Sequence, residues 1–144
     1  MTSTWAAEQT ILRLFRALDD NDDELALTFF AKTAVWRRPL GECVGETAIR
    51  QELLSRSRTR RIVHLVSNLI IRNRDELNAN VTFNSLAFAD NRPLPGTPSP
   101  MSLPIALDLY HAEMRVEDTR WVIARMECTR LFETAPSGPA SQPL

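Results

Sequence analysis

The sequence predicts an α+β fold, in which three N-terminal helices pack on one face of a mixed or antiparallel sheet. In the first half, apolar residues recur at helical spacing, whereas the second half holds four long segments rich in β-branched residues. Short polar turns separate these segments in pairs, as they do in β-hairpins. The length of 144 residues suits a single domain with a buried core.

The first predicted helix has Thr4 as its N-cap and carries Leu12, Phe15 and Leu18 on one stripe. The aspartate and asparagine side chains of residues 19–23 can accept backbone hydrogen bonds, which ends this helix and begins a second. A third helix follows a short strand. The predicted helices span residues 4–18, 24–30 and 46–56, and the short strand spans residues 34–36.

Four long strands are predicted in the second half, with hairpin turns at residues 73–75 and 117–119. The proline-rich residues 91–100 predict a longer, stiffened connection. Residues 135–144 are rich in proline, serine and glycine, which predicts a disordered tail after a domain at residues 1–134. The predicted strands span residues 61–72, 79–90, 101–117 and 120–132.

The first long strand is largely apolar on both pleat faces. A strand with one face in water should alternate cleanly between apolar and polar residues. Helices cover one face, and a second subunit is the natural cover for the other, so we predict a homodimer through the convex sheet face. One face carries Ile62, His64, Val66, Asn68 and Ile70, and the other carries Val63, Leu65, Ser67, Leu69 and Ile71.

Charge and composition narrow the classes of partner. A net charge of −1 provides no field to attract nucleic acid. No apolar run reaches the ~18 residues of a membrane span and no signal peptide is apparent, so a cytoplasmic protein is expected. Cys43 and Cys128 are predicted to be reduced thiols. Four arginines at residues 56–61 fit either a phosphate-binding patch or a solvated helix end, and the charge balance favours the helix end.

Five segments form a familiar pattern along the chain. They are Phe15-Arg16-Ala17-Leu18-Asp19-Asp20-Asn21-Asp22, Ala34-Val35-Trp36, Gly45-Glu46-Thr47-Ala48-Ile49, His64-Leu65-Val66-Ser67-Asn68-Leu69 and Arg120-Trp121-Val122-Ile123-Ala124-Arg125. Over residues 5–133 this pattern resembles the SnoaL-like branch of the nuclear transport factor 2-like superfamily. The resemblance implies a cone-shaped, curved sheet wrapped around helices, with an apolar pocket inside. Its members include scytalone dehydratase, ketosteroid isomerase, polyketide cyclases and non-catalytic modules, so it implies a fold rather than one reaction.

His64 and Asp19 are the candidate catalytic residues. Histidine suits proton transfer at neutral pH, and a carboxylate can hold its ring in one tautomer. The resemblance to scytalone dehydratase implies that His64 faces the pocket and that Asp19, at the end of the first helix, lies close to it. The other interpretation is a histidine of the core and an aspartate that only ends a helix.

The remaining candidate site residues are predicted to bind a small hydrophobic or aromatic molecule. Asn68 either contacts this ligand or belongs to a strand irregularity. Tyr110 either donates a hydrogen bond inside the pocket or packs its ring and reaches water with its hydroxyl. The apolar lining, for which core packing is the alternative, is predicted to comprise Trp36, Phe15, Leu18, Phe30, Val66, Phe83 and Met126.

Neither a metal nor a cofactor is expected. His64 and His111 are the two histidines and should face opposite ways, and there is no glycine-rich phosphate loop or G-x-S-x-G motif. Ketosteroid isomerase activity is excluded, because residues 36–39 hold cations where the resemblance would require a carboxylate base. Leu18 stands where scytalone dehydratase has one of its tyrosines.

Two functions therefore remain open from the sequence. The first is a cofactor-independent lyase or isomerase of the dehydratase or cyclase type, acting on a small cyclic or aromatic substrate with His64 as acid and base and Asp19 orienting it. The second is a non-catalytic ligand-binding or interaction module, such as a partner resembling an oxygenase β subunit.

Overall fold

The computed structural model describes residues 4–134 and places three helices against one six-stranded sheet. The helices are α1 (Thr4–Asp19), α2 (Asp23–Thr28) and α3 (Gly45–Leu54). The strands are β1 (Phe30–Arg38), β2 (Gly41–Val44), β3 (Arg61–Asn73), β4 (Asn78–Asp90), β5 (Ala106–Glu117) and β6 (Arg120–Glu133). The predicted α+β class is confirmed, whereas the predicted tail at residues 135–144 lies outside the described residues.

The six-stranded sheet packs against helix α1. Its strand order is β2-β1-β6-β5-β4-β3, in which β1 runs parallel to β6 and all other neighbours are antiparallel. Helix α1 contacts both β3, at one edge, and β6, three strands away. Helix α1 therefore packs across several strands of the sheet and not along one of them.

Helix α1 supplies the helical side of the core. Its buried residues recur three and four positions apart, as on one face of a helix. Leu12, predicted for this stripe, is only half-buried, and Leu14 is fully buried in its place. The stripe comprises Ala7, Ile11, Leu14, Phe15 and Leu18.

Strand β1 is longer than predicted and includes Phe30, the last residue of the second predicted helix. The Asp22 side chain caps α2 by accepting a hydrogen bond from the Leu25 N–H at 3.2 Å, but the helix ends at Thr28. Phe30 already belongs to β1, which pairs with β2 on one side and β6 on the other. This pairing between distant segments overrides the local helical pattern.

Three further boundaries differ from the prediction. Strand β2 was not predicted; it turns back from β1 through residues 39–40 and pairs Arg38 with Gly41. Helix α3 ends at Leu54, two residues before the predicted end, and Leu54 is 60% exposed. Strand β5 begins at Ala106 rather than at residue 101, and Pro104 just before it has no N–H to offer a neighbouring strand.

A bulge in β3 changes which residues face the core. Asn68 has a φ of 53°, and the pairing with β4 shifts between Ser67 and Ile70. One extra residue in a strand exchanges its inward and outward faces. Ile70 is therefore 55% exposed, and the prediction that Asn68 and Ile70 share the face of His64 is wrong. The alternative that Asn68 belongs to a strand irregularity agrees with the structure.

Candidate functional site

A cavity of about 130 Å³ lies between the end of α1 and the inner face of the sheet. His64 pairs with Ala87, and Ala87 pairs with Ala106, so two small side chains stand beside the imidazole across the sheet. These alanines leave the space that larger residues would fill. The cavity opens beside Leu40, which lines it and is 73% exposed.

Asp19 and His64 form a hydrogen-bonded pair in the wall of this cavity. The Asp19 Oδ1 lies 2.6 Å from the His64 Nδ1, and its Oδ2 accepts the backbone N–H of the same residue at 3.0 Å. The two side chains are only 11% and 15% exposed. With the carboxylate ionised, the proton of the ring is held on Nδ1 and the Nε2 lone pair is left to act as a base.

The position of Asp19 argues against a simple role in ending the helix. It is the last residue of α1, where the helix dipole disfavours a negative charge. The cap of α2 is made by Asp22 instead. Both carboxylate oxygens of Asp19 thus contact His64. These two contacts join the end of α1 to β3, an edge strand of the sheet.

Phe15 holds the imidazole from its other side. Its ring meets the His64 ring edge-on at 5.4 Å and the Tyr110 ring at 5.3 Å. Phe83 stacks on Tyr110 at 4.9 Å and contacts Phe15 at 5.5 Å. Aromatic rings prefer these edge-on and stacked arrangements, so the cluster restricts the orientation of His64.

A polar wall faces the cavity from β5 and β6. Arg130 binds Asp108 through its Nε at 2.9 Å and its Nη2 at 3.3 Å. Burial, followed by the proximity of Cys128, raises the pKa of Tyr110 well above its ordinary value. Burial and then the nearby Asp108 raise the pKa of Cys128 to about 11. Both groups therefore keep their protons at neutral pH, and Tyr110 can donate a hydrogen bond.

Three arginines besides Arg130 line the cavity. Arg38 packs over the Trp36 ring at 5.3 Å and binds the Glu52 carboxylate at 2.7 Å. Arg56 donates from its Nη1 to the Leu18 carbonyl at 3.0 Å. These contacts hold two cations in the wall of the cavity, and Arg60 also lines it.

Six of the predicted site residues come together at the cavity. His64 lines it, together with Phe15, Leu18, Trp36 and Tyr110, and Asp19 supports His64 from behind.

The other five predicted residues do not line the cavity. Phe30 packs on Trp36 at 5.6 Å, and Phe83 and Met126 are fully buried in the core. Val66 is half-buried and lies two residues after His64 in β3. Asn68 is exposed and donates from its Nδ2 to the Asn84 Oδ1 at 3.0 Å. The bulge turns Asn68 away from the cavity, so its predicted contact with a ligand is not supported.

The sequence-based candidates did not include three charged residues that line the cavity, Arg38, Asp108 and Arg130. Asp108 could have been proposed from the sequence, because it lies two residues before Tyr110 and therefore on the same face of β5. Arg130 stands opposite Asp108 only through the register of β5 and β6. Arg38 reaches the cavity because β1 continues two residues beyond Trp36, where the predicted strand ended.

The described residues also limit two other kinds of site. None of the helices in residues 4–134 is long and apolar enough to cross a membrane. Within the same residues, histidine, cysteine and carboxylate side chains form no group that could hold a metal ion.

Comparison with known proteins places these observations in a family context. A family model described as a SnoaL-like domain matches residues 1–127. A search of curated proteins finds no match.

Solved structures share the fold at low sequence identity. A candidate scytalone dehydratase from Novosphingobium aromaticivorans is 23% identical with a TM-score of 0.75, over 96% of this chain and 91% of that one. The type 3 LinA hexachlorocyclohexane dehydrochlorinase from Novosphingobium barchaimii is 13% identical with a TM-score of 0.73, over 96% and 93% of the chains. A ketosteroid isomerase-like protein from Erwinia carotovora atroseptica is 15% identical with a TM-score of 0.68, over 88% and 95%.

Proposed function

The chain belongs to the SnoaL-like domain family and has the cone-shaped nuclear transport factor 2-like fold, and we propose that it is a cofactor-independent lyase acting on a small cyclic substrate. The observation that carries this proposal is the 2.6 Å contact between Asp19 and His64 in the cavity wall. A histidine held in one tautomer by a carboxylate is a general base. The dehydratase and dehydrochlorinase among the similar structures are named for eliminations, which need such a base.

The proposed reaction is an elimination next to a carbonyl group. The His64 Nε2 removes a proton from the carbon beside the carbonyl, and the electrons of that C–H bond form the double bond as the neighbouring C–O bond breaks. The departing oxygen takes a proton from the imidazolium and leaves as water. Asp19 stabilises the imidazolium while it exists. The Tyr110 hydroxyl is the proposed donor to the carbonyl oxygen, where negative charge develops.

The cavity volume limits the substrate. An apolar cavity of about 150 Å³ holds a benzene molecule, and the 130 Å³ found here is similar, so one ring fits without movement of the walls. A larger substrate would extend through the open side past Leu40.

The test measures elimination by the two histidine variants. β-Hydroxycyclohexanone and its β-chloro analogue both give a conjugated enone with strong ultraviolet absorption. We expect His64→Ala to lower kcat/KM by about 100- to 10,000-fold while circular dichroism stays unchanged. His111→Ala is the matched control, because His111 is an exposed residue of β5 that does not line the cavity. Turnover that survives in His64→Ala, or none in the parent protein, would contradict the proposal.

A second candidate function rests on the outer face of the sheet. Val63 is 45% exposed, Leu65 is 51% exposed and Phe132 is 69% exposed there, which favours an interaction surface. The chain would then act as a structural partner, with the cavity holding a ligand without turnover. Self-association through this face is compatible with either function.

A further inference from the structure

We propose that the substrate carries a carboxylate, which binds to Arg56 and Arg60 at the mouth of the cavity. This inference rests on the proposed function in that it concerns the same cavity, but it depends on charge and not on the His64 chemistry. A ring-sized organic acid would place its ring in the cavity and its carboxylate at the opening.

The charges around the cavity are unbalanced. Four arginines line it, namely Arg38, Arg56, Arg60 and Arg130, whereas Asp108 is the one carboxylate among its described lining residues. Asp108 is already bound to Arg130, and Arg38 is bound to Glu52. Arg56 and Arg60 line the cavity and form no ion pair with a carboxylate of residues 4–134.

The carboxylates closest to Arg56 are committed elsewhere. Asp19 and Asp23 both attract Arg56, but Asp19 gives its two oxygens to His64 and Asp23 forms an ion pair with Arg58. The Arg56 guanidinium makes one hydrogen bond, to the Leu18 carbonyl, which uses one of its five N–H donors. Burial lowers the pKa of Arg56, and the proximity of Arg60 lowers it further.

Arg60 has the least protein contact of these cations. Its guanidinium makes no hydrogen bond or ion pair with any residue between 4 and 134, yet it is half-buried and lines the cavity. Two guanidinium groups held close together and partly away from water repel each other, unless an anion lies between them. A planar carboxylate matches the forked N–H groups of a guanidinium.

The other two arginines of the same segment have structural partners. Arg58 binds Asp23, and Arg61 donates to the Thr97 carbonyl at 2.9 Å and the Ser99 hydroxyl at 2.7 Å. Arg61 thereby ties the proline-rich connection to the sheet. The arginine cluster of residues 56–61 is therefore divided between Arg58 and Arg61, which hold the fold, and Arg56 and Arg60, which line the cavity without an ion pair to any residue between 4 and 134.

The experiment compares benzoate with benzamide, a neutral molecule of nearly the same shape. We expect isothermal titration calorimetry to give a benzoate Kd at least about ten-fold lower than that of benzamide, since one charge-assisted hydrogen bond accounts for such a factor. Arg60→Gln should raise the benzoate Kd by about ten-fold without changing the benzamide Kd, and Arg56→Gln should do the same. Arg92→Gln is the matched control, because Arg92 is exposed and does not line the cavity.

Three results would overturn the proposal. Equal Kd values for benzoate and benzamide would show that the carboxylate does not contribute to binding. An unchanged benzoate Kd in both Arg60→Gln and Arg56→Gln would show that these two arginines do not bind it. Tighter binding of phenyl phosphate than of benzoate would assign the two arginines to a phosphate instead. His64→Ala should keep the preference for benzoate, so an absence of turnover would count against the proposed reaction and not against this inference.

Discussion

At the scale of single residues, the reactivity of the Cys128 thiol depends on its burial in the cavity wall. Burial and the adjacent Asp108 raise the pKa of Cys128 to about 11. At pH 8 about one thiol in a thousand would be ionised, and only the thiolate reacts with alkylating agents. We therefore expect iodoacetamide to alkylate Cys128 slowly at pH 8, and the alkylation rate to rise steeply towards pH 11. Mass spectrometry of the tryptic peptide that contains Cys128 measures this rate.

The control for this prediction is the unfolded chain. In guanidinium chloride the thiol should react at pH 8 as an ordinary cysteine does. Rapid alkylation of Cys128 in the folded protein at pH 8 would contradict the burial of this thiol beside Asp108.

The ion pair of Asp108 and Arg130 also acts at the residue scale. The Asp108 side chain is 10% exposed and that of Arg130 is 26% exposed, so removing one partner leaves the other charge poorly solvated. Arg130→Met should lower the free energy of unfolding by about 2–3 kcal/mol. Adding Asp108→Asn to that variant should recover part of the loss. Urea unfolding measures both values, and equal stabilities of the single and double variants would argue against the pair.

At the scale of elements, the bulge in β3 sets the side chains that enter the cavity. Before the bulge Ile62, His64 and Val66 point inward, and after it Leu69 and Ile71 pack against the core. The backbone at Asn68 is left-handed, which asparagine and glycine tolerate better than other residues. The bulge thus lets one strand serve both the cavity and the core.

Substitution of Asn68 tests the bulge. Asn68→Val should lower the free energy of unfolding by about 1–3 kcal/mol, because a β-branched residue is strained at a φ of 53°. Asn68→Gly is the matched control and should cost much less, since glycine adopts this conformation freely. Both variants are compared by urea unfolding. A Val variant as stable as the Gly variant would mean that the bulge is not held at this residue.

The limits of sequence prediction also lie in the elements. The four long strands and α1 were predicted because each follows its own hydrophobic period over ten or more residues. The full length of β1 and the existence of β2 were not, because their pairing joins segments far apart in the chain. The position of Asn68 was misjudged because a single extra residue exchanges strand faces without changing composition.

At the scale of the whole molecule, the site residues placed by local periodicity could be predicted, and those placed by pairing between distant strands could not. Asp19 ends a strongly periodic helix and His64 lies in a strongly periodic strand, so both could be proposed from sequence with the family resemblance. Arg38, Asp108 and Arg130 meet through the β1–β6–β5 register, which the sequence does not reveal. The Asp19–His64 pair was therefore predictable from the sequence, whereas the placement of Arg38, Asp108 and Arg130 at the cavity was not.

The outer face of the curved sheet leads to a prediction about assembly. Leu65, Leu86, Leu107 and Phe132 stand in register across β3, β4, β5 and β6 on the face opposite the cavity. Leu65 and Phe132 are more than half exposed in the single chain. The bulge accounts for the inward turn of Leu69 and Ile71, but it leaves this outer row uncovered.

An apolar row across four strands fits the same row of a second copy, which would form an isologous dimer. We expect analytical ultracentrifugation to give a dimer for the parent protein and a folded monomer for Leu65→Glu, since a buried, unpaired carboxylate opposes association. Leu77→Glu is the matched control: Leu77 is 57% exposed, but it lies in the turn between β3 and β4, away from the row. A monomeric parent protein, or equal masses for the two variants, would exclude this face as the interface.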